Sequence, residues 1–179
     1  MSPYLRNEPL RIRAVEPITV TATIARPREE VFEYLADIAN HPEFTDHYLV
    51  DWHLTREDPY GPGAGARFRI KAPLNRFAWA DVTFADVQPP FKIVQRGRGG
   101  KYNRIRTLGT YTLSPGSGGT TRVQYTVETA PAMLSDRLME TLGGRAWTKR
   151  QAGKAMRRLR TILEEDRGRG HRASVAGRD

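Results

Sequence analysis

The stretch Ile18-Thr19-Val20-Thr21-Ala22-Thr23-Ile24-Ala25-Arg26-Pro27-Arg28-Glu29-Glu30-Val31-Phe32-Glu33-Tyr34-Leu35 changes its period halfway along. Up to Ile24, apolar residues alternate with Thr and Ala, and the run is rich in β-branched side chains, which reads as a strand. Pro27 then falls where a helix tolerates proline, in its first turn. Glu29 and Glu30 follow, where the helix dipole favours acids. Val31, Phe32, Leu35 and Ile38 continue at helical spacing. Asn40-His41-Pro42-Glu43-Phe44 breaks this helix and starts a second short one.

Outward from this switch, residues 1–14 show no sustained period and read as an N-terminal extension. Downstream the helical period is absent until about Pro131. Residues 46–55, 66–71, 76–87, 91–98, 103–113 and 120–129 each read as a strand. Their separators are turn-formers: Asp58-Pro59-Tyr60-Gly61-Pro62-Gly63, Gln88-Pro89-Pro90, Gly99-Gly100 and Ser114-Pro115-Gly116-Ser117-Gly118-Gly119. Strands joined this closely argue for an antiparallel meander. The 3.6 period then returns. Ala152, Ala155, Met156, Leu159, Ile162 and Leu163 form one apolar stripe, extended upstream by Leu134, Leu138 and Leu142. One sheet and one long amphipathic helix must bury their apolar faces against each other.

The 179 residues fit one domain with tails, and the chain has no cysteine, which excludes disulfide frameworks, zinc–thiolate sites and thiol nucleophiles. No apolar run is long enough to span a membrane, and Met1-Ser2-Pro3-Tyr4-Leu5-Arg6 lacks a signal-peptide core, so the expected compartment is the cytoplasm. The net charge is +9, of which residues 145–166 supply +4 and residues 167–179 supply +3. A basic end of this kind reads first as a solvated helix face and a disordered tail. It leaves an anionic membrane surface open as a partner. Nucleic acid (RNA) through the same basic end is a lesser alternative, because Trp147 is the sole aromatic after Tyr125 and base stacking has little to work with.

Several segments resemble the SRPBCC superfamily, which includes START-type lipid carriers and the birch pollen allergen group, and within it the polyketide cyclase/dehydrase-like branch. They are residues 24–37, Asn40-His41-Pro42-Glu43-Phe44, Gly65-Ala66-Arg67-Phe68, Gly109-Thr110-Tyr111-Thr112-Leu113 and residues 119–127. The family commonly has Trp where this chain has Phe44. The resemblance implies an α+β helix-grip fold over residues 15–166. A seven-stranded curved antiparallel sheet would wrap a long C-terminal helix, with two short helices between strands 1 and 2. It also implies a ligand cavity between sheet and helix.

Alternation suggests the cavity wall: Phe68 and Ile70, Phe77 and Trp79, Phe91 and Ile93, Tyr111 and Leu113, then Val123, Tyr125 and Val127. Leu142 and Met156 would face them from the helix. Such a wall suits a small hydrophobic or aromatic molecule: a lipid, a polyketide or an isoprenoid-like compound. Residues 76–87 are ambiguous, since Val82 and Phe84 lie opposite Phe77 and Trp79, and a bulge would reconcile them. Asp81 shares the face of Trp79. If inward, it is a carboxylate raised by burial; otherwise it is a surface Asp paired with an arginine. His41, His47 and His53 are spaced six and six, which fits neither helical nor strand ligand pairs, so no metal and no cofactor are expected. No serine motif and no convergent acid/base pair stands out, so no catalytic residue is assigned and binding is preferred over catalysis. The alternative is a cyclase/dehydratase-type enzyme using acid/base groups in the same cavity. The chain would act as a monomer or homodimer.

Overall fold

Each period change in the sequence becomes a boundary in the computed structural model, which describes residues 16–73, 78–130 and 143–175. The Thr-alternating run is strand β1 (Ile18–Ile24), and Pro27 caps helix α1 (Arg28–Ala36). Asp37 accepts from the backbone N–H of Ala39 and opens a 3-10 turn, Ile38–Asn40, which leads into α2 (His41–Thr45). The meander follows as β2 (Leu49–Leu54), β3 (Gly65–Ile70), β4 (Trp79–Gln88), β5 (Lys92–Gly99), β6 (Ile105–Pro115) and β7 (Thr121–Ala130). The basic amphipathic segment is α3 (Arg145–Glu165). Leu134, Leu138 and Leu142 lie outside the described residues.

The sheet has eight strands in the order β1-β7-β6-β5-β4-β3-β2-β8, one more than expected. The added strand is β8 (Ser174–Val175), paired parallel to β2 through His53↔Ser174 and Leu54↔Val175. This corrects the reading of residues 167–175 as disordered. Gly170 N–H donates to Glu43 O and Ala173 N–H to Ala39 O. Arg169 reaches the buried Glu43 carboxylate at 3.0 Å, and Arg172 reaches Asp37 at 2.6 Å. The arginines that look like a frayed tail in the sequence therefore clamp the chain end onto α2 and cover the edge of β2, an edge that would otherwise offer free backbone groups.

The core sits between the concave face of the sheet, α1, α2 and the C-terminal half of α3. Phe32, Leu35, Phe44, Phe84, Ile93, Val123, Met156, Leu159 and Ile162 are all fully buried there. Arg26 Nε donates to Leu163 O at 2.7 Å, satisfying a carbonyl at the helix end, while Ala25 N–H donates to Glu164 Oε1. The end of α3 is thus tied to the β1–α1 connection.

Candidate functional site

The inward positions of β5 read Ile93, Gln95, Gly97, Gly99, so side chains shrink to nothing along the strand. On β6 the facing positions are Tyr111, Gly109 and Thr107. Above the filled end, α3 presents Met156, Leu159 and Ile162; above the emptied end it presents Trp147, Thr148 and Ala152. The space left is a cavity of about 290 Å³. Its walls include Tyr48 and Leu49 before and on β2, Phe68 and Ile70 on β3, Val82 on β4, Ile105 on β6, and Tyr125 and Val127 on β7. The three inward glycines have ordinary extended backbones. They are needed for room: a Cβ on Gly97 would collide with Thr107 Oγ1, and one on Gly99 would lie 3.2 Å from Ala80 Cβ.

Gly109 organises the polar part of the wall. A Cβ there would lie 3.0 Å from Tyr125 Oη and 3.1 Å from Gln95 Oε1, so the absent side chain lets these two tips converge over the strand. Gln95 is held from behind by His41. The His41 Nε2 group lies 2.9 Å from Leu35 O and donates to it. That leaves Nδ1 as the acceptor for the Gln95 amide N–H, at 3.5 Å. The imidazole is enclosed by Phe44, Phe84, Tyr111 and Trp52, with ring centroids 5.4 to 6.4 Å away. Burial among these rings pushes the His41 pKa down to about 4, so the ring is neutral at physiological pH.

The tyrosines are shifted the other way. Burial pushes Tyr125 up to about 12, and burial with a contribution from Tyr125 raises Tyr48 further. Tyr111 is raised by burial and by both neighbours, and it stacks on Tyr125 at 4.3 Å. At neutral pH these hydroxyls keep their protons and act as hydrogen-bond donors.

The residues named from the sequence fall into three groups. Phe68, Ile70 and Tyr125 line the cavity. Ile93, Tyr111, Leu113 and Met156 are on the inner side but belong to the packed core, each at most 4% exposed. Trp79 and Phe91 do not line the cavity, and Asp81 reaches only its rim. Phe68 pairs directly with Ala80 and Arg69 with Trp79, and residues directly opposite share a face, so an inward Phe68 forces Trp79 and Asp81 outward. The inward face of β4 is Ala80, Val82 and Phe84, and a bulge between Phe84 and Asp86 then turns Val87 inward as well. Trp79 stands outside with Arg67 over its ring at 5.4 Å. Asp81 contributes to the cavity rim, but its carboxylate is 3.7 Å from Arg67 Nε and its side chain is 43% exposed. Phe91 is 52% exposed beneath Arg28. Leu142 lies outside the described residues. Tyr48, Gln95 and Thr148 join the wall without standing out in the sequence, and Ala152 joins it from the apolar stripe of α3. The signal for the cavity itself is present there, in the small residues at Gly97, Gly99 and Gly109.

His41, His47 and His53 do not converge, and among the described residues no group of three His, Asp or Glu side chains could hold a metal ion. No described helix is long and apolar enough to cross a membrane.

A curved antiparallel sheet closed by one long helix, with a cavity under the helix start, defines the α+β helix-grip class. The chain belongs to the polyketide cyclase/dehydrase and lipid transport family, whose model it matches over residues 17–164. Among curated proteins no match was found. Solved structures share the fold at low identity. A truncated norcoclaurine synthase from Thalictrum flavum is 11% identical, with TM-score 0.65, over 85% of this chain and 96% of that one. The ginseng (Panax ginseng) major latex-like protein 151 is 9% identical, with TM-score 0.63, over 83% and 97%. TTHA0849 from Thermus thermophilus is 14% identical, with TM-score 0.62, over 83% and 97%.

Proposed function

We propose that the protein binds a small hydrophobic or aromatic molecule in the cavity between the sheet and the N-terminal half of α3. The observation that carries this reading is the loss of side chains at Gly97, Gly99 and Gly109, opposite Ala152, which leaves about 290 Å³ in an otherwise packed interior. Close packing is the rule in protein interiors, and three inward glycines on adjacent central strands sacrifice packing contacts. A ligand burying roughly 200 Å² of apolar surface would gain about 5 kcal/mol before the costs of immobilisation. Aromatic and aliphatic walls from Phe68, Ile70, Val127 and Trp147 supply the contact. Tyr125 and Gln95 supply one donor–acceptor pair that would fix the orientation of a carbonyl or hydroxyl on the ligand.

Binding is favoured over a cyclase/dehydratase reaction by the chemistry of these polar tips. Proton transfer is best served by a group whose pKa lies near the working pH. Tyr125 and Tyr48 are raised away from neutrality and His41 is lowered away from it. The polyketide cyclase/dehydrase and lipid transport family accommodates either role, and the fold alone does not select between them.

Native mass spectrometry of the protein purified from its own host tests the reading. A co-purifying small molecule is expected, and an Ala152→Phe variant should emerge without it. Recovery of the bare chain, together with no binding of neutral hydrophobic probes, would refute the assignment.

A further inference from the structure

The sheet face turned away from α3 carries a second concavity, of about 600 Å³, across β4–β7. Strand register builds it from two cross-strand rows. One runs Arg67, Asp81, Arg98, Arg106, Ala130. The other runs Thr83, Arg96, Leu108, Glu128. Asp81 is engaged by Arg67, and Glu128 sits beyond Leu108 at the far side of the groove. Arg96, Arg98 and Arg106 are exposed and make no ion pair with any described residue. Arg98 and Arg106 stand directly opposite each other, an arrangement that is destabilising for like charges without an anion between them.

The chemistry that relieves this arrangement is specific. A guanidinium presents a planar fork that matches phosphate oxygens two at a time. Arg96 and Arg98 are two residues apart on one strand, about 7 Å along it, so they can address adjacent phosphates while Arg106 shares the one at Arg98. Leu108 and Ala130 offer an apolar floor beside them. The volume falls within the usual range for small-molecule sites. We propose that this outer groove binds an organic diphosphate, with Arg98 and Arg106 bridging one phosphate and Arg96 holding the other. The groove opens on the opposite face of the sheet from the inner cavity, and Asp81, Gly97, Arg98, Thr107 and Thr129 line both.

The test uses the full chain and titration calorimetry with ADP, inorganic pyrophosphate and sulfate at matched ionic strength. Saturable one-to-one binding is expected for ADP and pyrophosphate, each at least tenfold tighter than sulfate. An R98Q/R106Q variant should weaken both at least tenfold. Arg150→Gln, on an exposed part of α3, should not. Arg96→Gln, a smaller change, makes the same prediction if the double variant fails to fold. Binding of the neutral probe N-phenyl-1-naphthylamine should be unchanged in Arg96→Gln and Arg150→Gln, whose side chains do not line the inner cavity. Equal affinity for sulfate, an unaffected R98Q/R106Q or R96Q variant, or retention of RNA without competition by ADP would overturn the proposal.

Discussion

The two halves of α3 face the same sheet and meet opposite conditions. Its C-terminal half places Met156, Leu159 and Ile162 in one buried cluster with Ile93, Leu113 and Val123, each at most 2% exposed. Its N-terminal half lays Trp147, Thr148 and Ala152 over Gly97, Gly99 and Gly109, and a cavity remains. One helix and one sheet thus divide the work. The filled end, anchored by Arg26 at the helix terminus and by the 167–175 clamp, contributes stability. The emptied end is free to take a guest. The difference lies in side-chain volume along β5 and β6, not in backbone geometry, since the pairing of these two strands runs without a register shift from Lys92↔Thr112 to Gly99↔Ile105.

Substitutions at the two ends should therefore separate stability from binding. The largest stability effect is expected at the filled end: Leu159→Ala removes a fully buried side chain and should cost about 4 kcal/mol in urea-induced unfolding. Ala152→Leu at the emptied end should leave unfolding within about 1 kcal/mol of wild type. If Ala152→Leu proves as damaging as Leu159→Ala, the two ends are packed alike and the division fails.

His41 provides the next effect. Its pKa falls from 6.5 in the unfolded chain to about 4 in the folded one, so the unfolded state binds more protons between those values. The contribution of neutral His41 is fully present above pH 6.5 and is lost as pH falls towards 4, by about 3 kcal/mol in total. Unfolding free energies measured from pH 7 to 4 should show this slope in the wild type and lack it in His41→Gln.

The clamp comes third. Arg169→Ala leaves the buried Glu43 carboxylate with only the Tyr34 hydroxyl as a side-chain partner among the described residues and should cost about 2 kcal/mol by the same assay. A cost near zero would mean that residues 167–175 rest on α2 without anchoring it. The smallest effect belongs to Tyr125→Phe. It removes one donor from the cavity and should weaken a carbonyl-bearing ligand by about 1 kcal/mol while leaving an apolar ligand unaffected.

The fold is open to sequence reading because its signals are local. Pro27 with Glu29 and Glu30, the Thr alternation of β1, the Gly/Pro separators and the Met156–Leu159–Ile162 stripe each mark an element without reference to the rest of the chain. Phe68, Ile70 and Tyr125 are recoverable for the cavity because their strands alternate cleanly. Trp79 and Asp81 are misplaced by alternation because both faces of β4 carry apolar residues, and only pairing with β3 decides between them. Ile93, Tyr111, Leu113 and Met156 fall on the right face but at the wrong end, since alternation gives a face and says nothing about position along the helix above it. Phe91 precedes the first pair of its strand and escapes the alternation altogether. Residues 167–175 read as disordered because their order depends on partners at Asp37, Ala39 and Glu43, far away in sequence.

The most direct test of the cavity is a fluorescence titration with N-phenyl-1-naphthylamine, an uncharged aromatic probe that the outer arginines do not attract. Saturable enhancement at one probe per chain is expected in the wild type, with its loss in Ala152→Phe while the far-UV spectrum of the variant stays unchanged. No enhancement in the wild type, or an equal response from the folded variant, would contradict it.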